Sequence, residues 1–424
     1  LLGLDAARGL ALLGVFGVNM QIFSDAFGTF YQPLPESSDG LTVALFYLQG
    51  VFFTGKFYPL FSLLFGMGLV LMMASSARRG QAGAFTGIYL RRLAMLAVFG
   101  LIHGLAIWYG DVLLTYSICG LILFLCRSWP AKVMIPLGAG LMLFAAVLYG
   151  GLAALSAGAY QTPDASTPAG VLAAADEPGA SKIARLIEAM GDGDVAGGPE
   201  DPVWVELERL AYREGPWYDV AAFRAISWVM MVFVTVLGVG WHVLGLFFLG
   251  AGLIKAGLLD ESGRVWRRRL FWLGLLVGVP GSAAGAWLGA SPDSALGLAG
   301  MAFLGMVFGP MLSLTYLCGM WRIAELASAG SRVALTVATP LQAAGRMALT
   351  NYLTQSVVST FVFYHWGLGQ FASWTRGQEW AMVVGVFAVQ CVVSMLWLRV
   401  FAMGPMERLW RTITYAGDRR GPHA

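Results

Sequence analysis

Runs of about 20 apolar residues, the length that carries a helix across a bilayer, recur along this chain. One of them opens with groups that lipid does not tolerate unpaired: Gly345-Arg346-Met347-Ala348-Leu349-Thr350-Asn351-Tyr352-Leu353-Thr354-Gln355-Ser356. Read as one helix, Arg346, Thr350 and Thr354 follow an i,i+4 row, and Asn351, Gln355 and Ser359 form the adjacent row, about 100° away. Each such group needs a partner in hydrocarbon, so the stripe faces other helices or a wet cavity. A chain built this way is all-α, a polytopic membrane bundle with a polar interior.

Composition supports that class. Of 424 residues, 58% are hydrophobic and only 12% charged, against roughly 25% charged in soluble domains. The 55 glycines suit helices that pack closely in lipid. A net charge of +3 implies no nucleic acid or other acidic polymer as partner. Cys119, Cys126, Cys318 and Cys391 lie scattered in apolar runs, without the spacing of a metal or redox pair. The sequence carries no GxSxG elbow, Walker loop or HExxH, and no cluster with metal-ligand spacing.

Ten spans are expected, near 8–25, 57–76, 91–109, 112–127, 131–155, 227–254, 269–290, 295–320, 346–366 and 379–403. The apolar stretch 41–54 is too short to cross and reads as an interfacial or re-entrant piece. With both termini in the cytoplasm, all but seven of the 27 basic residues fall on the inner side; Lys56, Lys182, Arg185, Arg209, Arg213, Arg224 and Arg376 are the outer ones. That bias sets the orientation. Three regions follow: helices 1–5 in 1–155, an extracytoplasmic segment in 156–225, and helices 6–10 with a cytoplasmic tail in 226–424. Within the middle segment two amphipathic helices are expected, Ser181–Met190 and Pro202–Arg213. It is either a connector or a lid over an outward-facing cavity.

Several polar residues are placed where they could act. Arg8 and Asn19, eleven residues apart, share a helix face at about 16 Å separation. Arg8 sits at the cytoplasmic rim beside Asp5, where it either anchors the helix or grips an anion. Lys56, at the outer end of Lys56-Phe57-Tyr58-Pro59, either caps the span or faces an outer vestibule. His103 lies about two turns below the outer end of its span, and Trp108-Tyr109-Gly110-Asp111 makes a tight turn after it. Asp111 then starts a helix, where the dipole favours a carboxylate, and it can reach back toward His103. A buried histidine beside a carboxylate can serve as a general base; the alternative is an interhelical hydrogen-bonding residue. His242 is the second choice. Arg92 and His103 repeat the eleven-residue offset, and this is read as unrelated to the first.

Taken together, Leu4-Asp5-Ala6-Ala7-Arg8-Gly9, Val18-Asn19, Lys56 to Gly66, His103-Gly104 with Trp108 and Gly110-Asp111, and Gly345 to Tyr352 resemble the signature of the YeiB-like family of bacterial inner-membrane proteins. That family resembles in turn the transmembrane acyltransferases, which include envelope sugar O-acetyltransferases and the lysosomal heparan-glucosaminide N-acetyltransferase. The resemblance implies about ten helices around a central polar tunnel. It also implies an acyl-CoA donor from the cytosol and an acceptor (envelope sugar, lipid or small molecule) across the membrane, with no metal. Two departures stand out. The O-acetyltransferase branch has a histidine where this chain has Asn19. The heparan branch has one just before a stretch resembling Asp39-Gly40-Leu41-Thr42-Val43-Ala44, where this chain has Pro35-Glu36-Ser37-Ser38.

On that footing Arg8 and Arg346 would hold the donor's phosphates at the inner mouth. Asn19, Asn351, Tyr352 and Gln355 would line the tunnel, and Trp108, Asp39 and Lys56 would bound its outer part. His103 oriented by Asp111, or else Glu36, would deprotonate the acceptor. The lipid bilayer is the one partner required, and homo-oligomerisation stays open. A transporter or flippase using the same polar interior without catalysis is the alternative function, and a non-catalytic membrane partner is a third.

Overall fold

The computed structural model describes residues 2–31, 37–159, 181–192, 199, 201–290 and 295–415. Among these the secondary structure is helical, with no strand. Eight helices are long and apolar enough to cross a membrane, and Leu113–Leu125 and Gly240–Lys255 are shorter apolar helices. In chain order the elements are α1 (Leu2–Ser24), α2 (Gly40–Phe52), α3 (Phe57–Arg78), α4 (Phe85–Ile102), α5 (Leu113–Leu125), α6 (Ala131–Ala159), α7 (Lys182–Asp192) and α8 (Pro202–Glu214). There follow α9 (Trp217–Val234), α10 (Gly240–Lys255), α11 (Arg264–Leu273), α12 (Val279–Ala290), α13 (Ala295–Ser328), α14 (Arg332–Arg346), α15 (Ala348–Phe363), α16 (Arg376–Val400) and α17 (Pro405–Thr414).

The stretch expected to be too short to cross forms α2. It runs through the turn at Phe53–Lys56, where Gly55 has φ +77°, into α3. Wide π turns at Thr235–Val239 and Gly274–Gly278 join α9 to α10 and α11 to α12 without a break. The span expected from 227 therefore starts ten residues earlier, at Trp217.

Small residues set how closely the helices approach. A Cβ on Gly345 would fall 1.9 Å from the Asp5 carbonyl oxygen, and one on Gly9 2.0 Å from that of Leu341. Backbone therefore meets backbone between α1 and α14, which only glycine permits. α10 packs in the same close manner between α3 and α6. Phe65, Tyr116, Phe247 and Leu123 fill the space among α3, α5 and α10.

The polar stripe does not lie on a single helix. α14 ends at Arg346 and α15 begins at Ala348, with the backbone broken at Met347 (φ −110°, ψ 33°). Glu407 of α17 stabilises the new helix start: its carboxylate accepts from the backbone amides of Leu349 (2.7 Å) and Thr350 (3.1 Å) and from the Thr350 hydroxyl (2.6 Å). An acidic group there meets orphan amides and the positive end of the dipole. The expected Arg346–Thr350–Thr354 row is thereby cut after its first member.

The two ends of the bundle differ. One carries Arg8, Arg79, Arg92 and Arg411 and is called here the basic face. The other is covered by α7 and α8, both close to where the sequence places them. Asp201 caps α8 by accepting from Val203 N–H at 2.9 Å, and Asp219 of α9 accepts from the Ser181 hydroxyl (2.7 Å) and the Lys182 amide (2.8 Å) to cap α7. Trp204, Leu207, Leu210, Ala211 and Tyr212 of α8 are buried against Phe16, Phe23, Trp108, Tyr109, Tyr364 and Phe371. Arg209 closes the contact with a two-pronged pair to Asp25, both bonds 2.7 Å. α8 is thus docked against the bundle.

Candidate functional site

α4 does not stop at Ile102. It widens into a π turn over His103–Ile107, closed by the Trp108 amide donating to the His103 carbonyl at 2.8 Å. Such turns recur at functional sites because they redirect a side chain without ending the helix. Trp108 is extended (φ −157°, ψ 130°), and the chain reverses to start α5. Asp111 uses both carboxylate oxygens there: Oδ2 accepts from the Leu114 amide at 2.9 Å and Oδ1 lies 3.0 Å from His103 Nδ1. A Cβ on Gly100 would fall 2.5 Å from Leu114 N and 2.7 Å from Asp111 Oδ2, so this approach of α4 to α5 depends on glycine. The His103 and Asp111 side chains are 1% and 0% exposed.

The other ring nitrogen of His103 has a partner that sequence reading did not supply. Nε2 lies 2.9 Å from Ser356 Oγ on α15, and Ser356 is 1% exposed. A carboxylate only accepts, so Nδ1 carries the proton donated to Asp111, and Nε2 is left to accept from the Ser356 hydroxyl. Carboxylate, imidazole and hydroxyl thus stand in one hydrogen-bonded line. Around it, the Tyr352 ring sits 5.0 Å from the imidazole, centroid to centroid, and Trp108 6.2 Å. Trp108 stacks on Phe23 at 4.0 Å beneath α8.

A cavity of about 370 Å³ approaches this line from the basic face. Arg8, Arg92 and Trp410 stand at one end of its wall, and Val15, Phe57, Phe61, Leu64 and Tyr116 form the middle. Asn19, Gly110 and Tyr352 stand at the other end. A second cavity of about 420 Å³ shares Arg8, Gly68, Met72 and Arg92 with it and adds Asp5, Arg79, Gln81 and Tyr415. The two adjoin at these shared residues; the second is lined mostly by polar and charged groups, the first mostly by apolar ones. Tyr352 belongs to the cavity wall and is in ring contact with His103, so it separates the cavity from the buried line. Arg8 pairs with Asp5, and the Arg92 guanidinium lies over the Trp410 ring at 3.8 Å.

The sequence-predicted residues divide. Arg8, Asn19 and Tyr352 line the cavity; His103 and Asp111 meet as expected, with Trp108 against them. Asn351 and Gln355 are not in the cavity wall. Asn351 Nδ2 donates to the Ala344 carbonyl and to Ser394 Oγ, each at 3.1 Å. Gln355 donates to Gln390 Oε1 at 2.9 Å, and Gln390 donates back to the Asn351 carbonyl at 2.9 Å. These amides bind α15 to α16. Arg346 is exposed and donates to the Ala402 carbonyl at 2.9 Å, away from the mouth. Lys56 faces no vestibule: it is 2% exposed, and its ammonium donates to the Gly50 and Thr54 carbonyls at 2.6 and 2.7 Å, closing the end of α2. Asp39 is the exposed N-cap of α2, accepting from the Thr42 amide at 2.7 Å. Glu36 lies outside the described residues. His242 is held between the Tyr58 hydroxyl (3.1 Å) and the Met306 carbonyl (2.9 Å), a packing role.

Two residues of the site escaped the sequence reading. Ser356 is one apolar-helix hydroxyl among many, and only the fold brings it to His103. Arg92 was signalled: its eleven-residue offset from His103 matches that of Arg8 from Asn19, and both arginines reach the same mouth. Among the described residues no cluster of His, Cys, Asp and Glu is fit to hold a metal.

A family model described as "Protein of unknown function (DUF418)" matches residues 253–417. The uncharacterised protein YxaH of Bacillus subtilis (strain 168) is 30% identical over 419 residues, covering 97% of this chain and 93% of its own length. The uncharacterised protein YeiB of Escherichia coli (strain K12) is 29% identical over 442 residues, covering 97% and 95%. An uncharacterised 39.9 kDa protein of Bacillus acidopullulyticus, encoded in the amylase 3' region, is 24% identical over 412 residues, covering 97% and 93%. With its motifs at both ends of the molecule and similarity along nearly its whole length, the chain belongs to the YeiB-like family of membrane proteins that carry DUF418.

Proposed function

We propose that this protein moves an acyl group from an acyl-CoA donor, entering at the basic face, to a hydroxyl or amine acceptor reaching His103 from the α8 side. In this reading the basic face is cytoplasmic, α7 and α8 lie outside the bacterial inner membrane, and ten spans surround the cavity. The observation that carries it is the cavity itself, basic at one end, apolar along its length, and ending one aromatic ring from a carboxylate-oriented histidine. Arginines at the mouth suit the donor's phosphates. The apolar bore suits an acyl chain, and a poised imidazole is what removal of an acceptor proton requires. General-base catalysis of this kind contributes about 10²–10⁴-fold.

The test uses the purified full-length protein in detergent. Acetyl-CoA and a long-chain acyl-CoA are compared with free CoA by thermal shift, and transfer of labelled acyl groups to membrane-extract acceptors is then followed. Stabilisation by the acyl-CoAs, with transfer reduced at least about 100-fold in His103→Ala, is the expected result. Binding without transfer, indifferent to His103→Ala, would move the assignment to a transporter or flippase working through the same cavity. No stabilisation by any CoA species would sink the donor assignment.

A further inference from the structure

We infer that Ser356 is the nucleophile of the reaction proposed above and carries the acyl group as an ester between two half-reactions. The inference rests on the acyl-transfer reading and deepens it. In the folded protein the basic nitrogen of His103 already faces a hydroxyl, Ser356 Oγ at 2.9 Å, where an acceptor hydroxyl would otherwise have to sit. The order carboxylate, imidazole, hydroxyl is the one that activates a serine, because the carboxylate fixes the tautomer that leaves the far nitrogen free to take the proton. Ser356 is the buried hydroxyl that meets an imidazole; others are engaged differently, Ser24 with the Glu379 carboxylate and several with backbone carbonyls. Ser62 donates to the Tyr58 carbonyl at 2.8 Å, Ser117 to that of Leu93 at 2.9 Å and Ser313 to that of Gly309 at 3.0 Å. The Ser356 hydroxyl reaches its own i−4 carbonyl, that of Tyr352, only at 3.4 Å. Tyr352, one turn before Ser356, lines the cavity and touches the His103 ring, so this one side chain stands between the apolar bore and the serine.

In the first half-reaction Ser356 Oγ attacks the thioester carbonyl and its proton passes to His103 Nε2. The C–S bond then breaks, and the departing thiolate takes that proton to leave as the free thiol. In the second, an acceptor hydroxyl or amine gives its proton to His103 Nε2 and attacks the ester, and the Ser356 oxygen leaves and recovers the proton. Donor and acceptor never need to occupy the site together, which suits reactants arriving from opposite faces.

The experiment incubates the purified full-length protein with radiolabelled acetyl-CoA and no acceptor, quenches in acid, and maps the label by peptide mass spectrometry. p-Nitrophenyl acetate and a fluorophosphonate serve as donor-independent probes of the same hydroxyl. Label on Ser356 is expected, lost in Ser356→Ala and retained in Thr354→Ala, with transfer falling about 100-fold or more in Ser356→Ala. Ser356→Cys, which keeps a nucleophile, should accumulate a thioester and guards against a misfolded alanine variant. Transfer that proceeds in Ser356→Ala, with no label on Ser356 in the parent, would overturn the serine and leave His103 acting directly on the acceptor. A parent protein that neither transfers, nor takes label, nor reacts at Ser356 with either probe would overturn both readings.

Discussion

Asp111 divides its two oxygens between two tasks, and the division allows one substitution to separate them. Oδ2 holds the first turn of α5 and Oδ1 holds the proton-bearing nitrogen of His103. In Asp111→Asn the amide oxygen can still accept from Leu114, but the charge that fixes the imidazole tautomer is gone. Loss of that orientation in a histidine–serine system costs about 10⁴-fold in kcat. We expect Asp111→Asn to lose transfer on that scale with the KM for donor and the unfolding temperature nearly unchanged. A parallel loss of stability would mean that the residue acts as a cap alone. His103 and Asp111 were readable together because they lie only eight positions apart with a tight turn between them. Ser356 lies 253 positions from His103, and no local rule reaches that far.

Helix α8 holds a carboxylate under its apolar face. Glu208 is 1% exposed, among Trp204, Tyr212, Tyr364 and Phe27. Burial pushes its pKa up to about 8 from the ordinary 4.5; nearby Asp25 adds to the rise, while the Phe27 backbone, Trp204 and Arg209 oppose it. Because the folded state holds this proton more tightly than the unfolded one, docking of α8 is strongest below about pH 4.5 and weakens as pH rises toward 8. Glu208→Gln should abolish that slope and leave α8 better protected at pH 8, read by hydrogen exchange over Pro202–Glu214. Equal slopes in both proteins would show that Glu208 is not the group responsible. The helix itself was legible from its apolar spacing and its Asp201-Pro202 start. Its docking was not, since a sequence shows an amphipathic face without showing what covers it. The same holds for Asn351 and Gln355: polarity inside a span demands a partner, and whether that partner is α16 or a cavity is decided by packing.

Across the whole molecule, Arg8, Arg79, Arg92 and Arg411 gather at one end of the bundle, and α8 covers the other with an aromatic-rich face. Arg8 and Arg92 are the two that line both cavities. Hydrogen bonds to charged groups contribute about 1.5–3 kcal/mol each. Arg92→Gln and Arg8→Gln should therefore each weaken acyl-CoA binding about tenfold or more. Because the mouth is solvated, affinity of the parent should also fall with added salt, and each variant should show a shallower salt dependence in titration calorimetry. Arg346→Gln, outside the mouth, should bind as the parent does. The opposite ranking would place the donor elsewhere. The helical class and the presence of several helices apolar and long enough to cross a membrane followed from hydropathy, which acts residue by residue. The break at Met347, the π turns and the cavity's apolar bore follow from contacts among helices distant in the chain.

The glycine seam between α1 and α14 also sets an order in time. Helix α1 finds its backbone partner only after more than 300 further residues have been made, because Gly9 meets Leu341 and Asp5 meets Gly345. Until then α1 stands in the bilayer with its small-residue face and Arg8 uncovered, and the cavity lacks the wall that Ala348, Leu349 and Tyr352 supply. The cavity wall is therefore complete only once α15 and α17, which supplies Trp410, are in place. A chain stalled before α14 would present Arg8 and Arg92 with that part of the cavity wall missing.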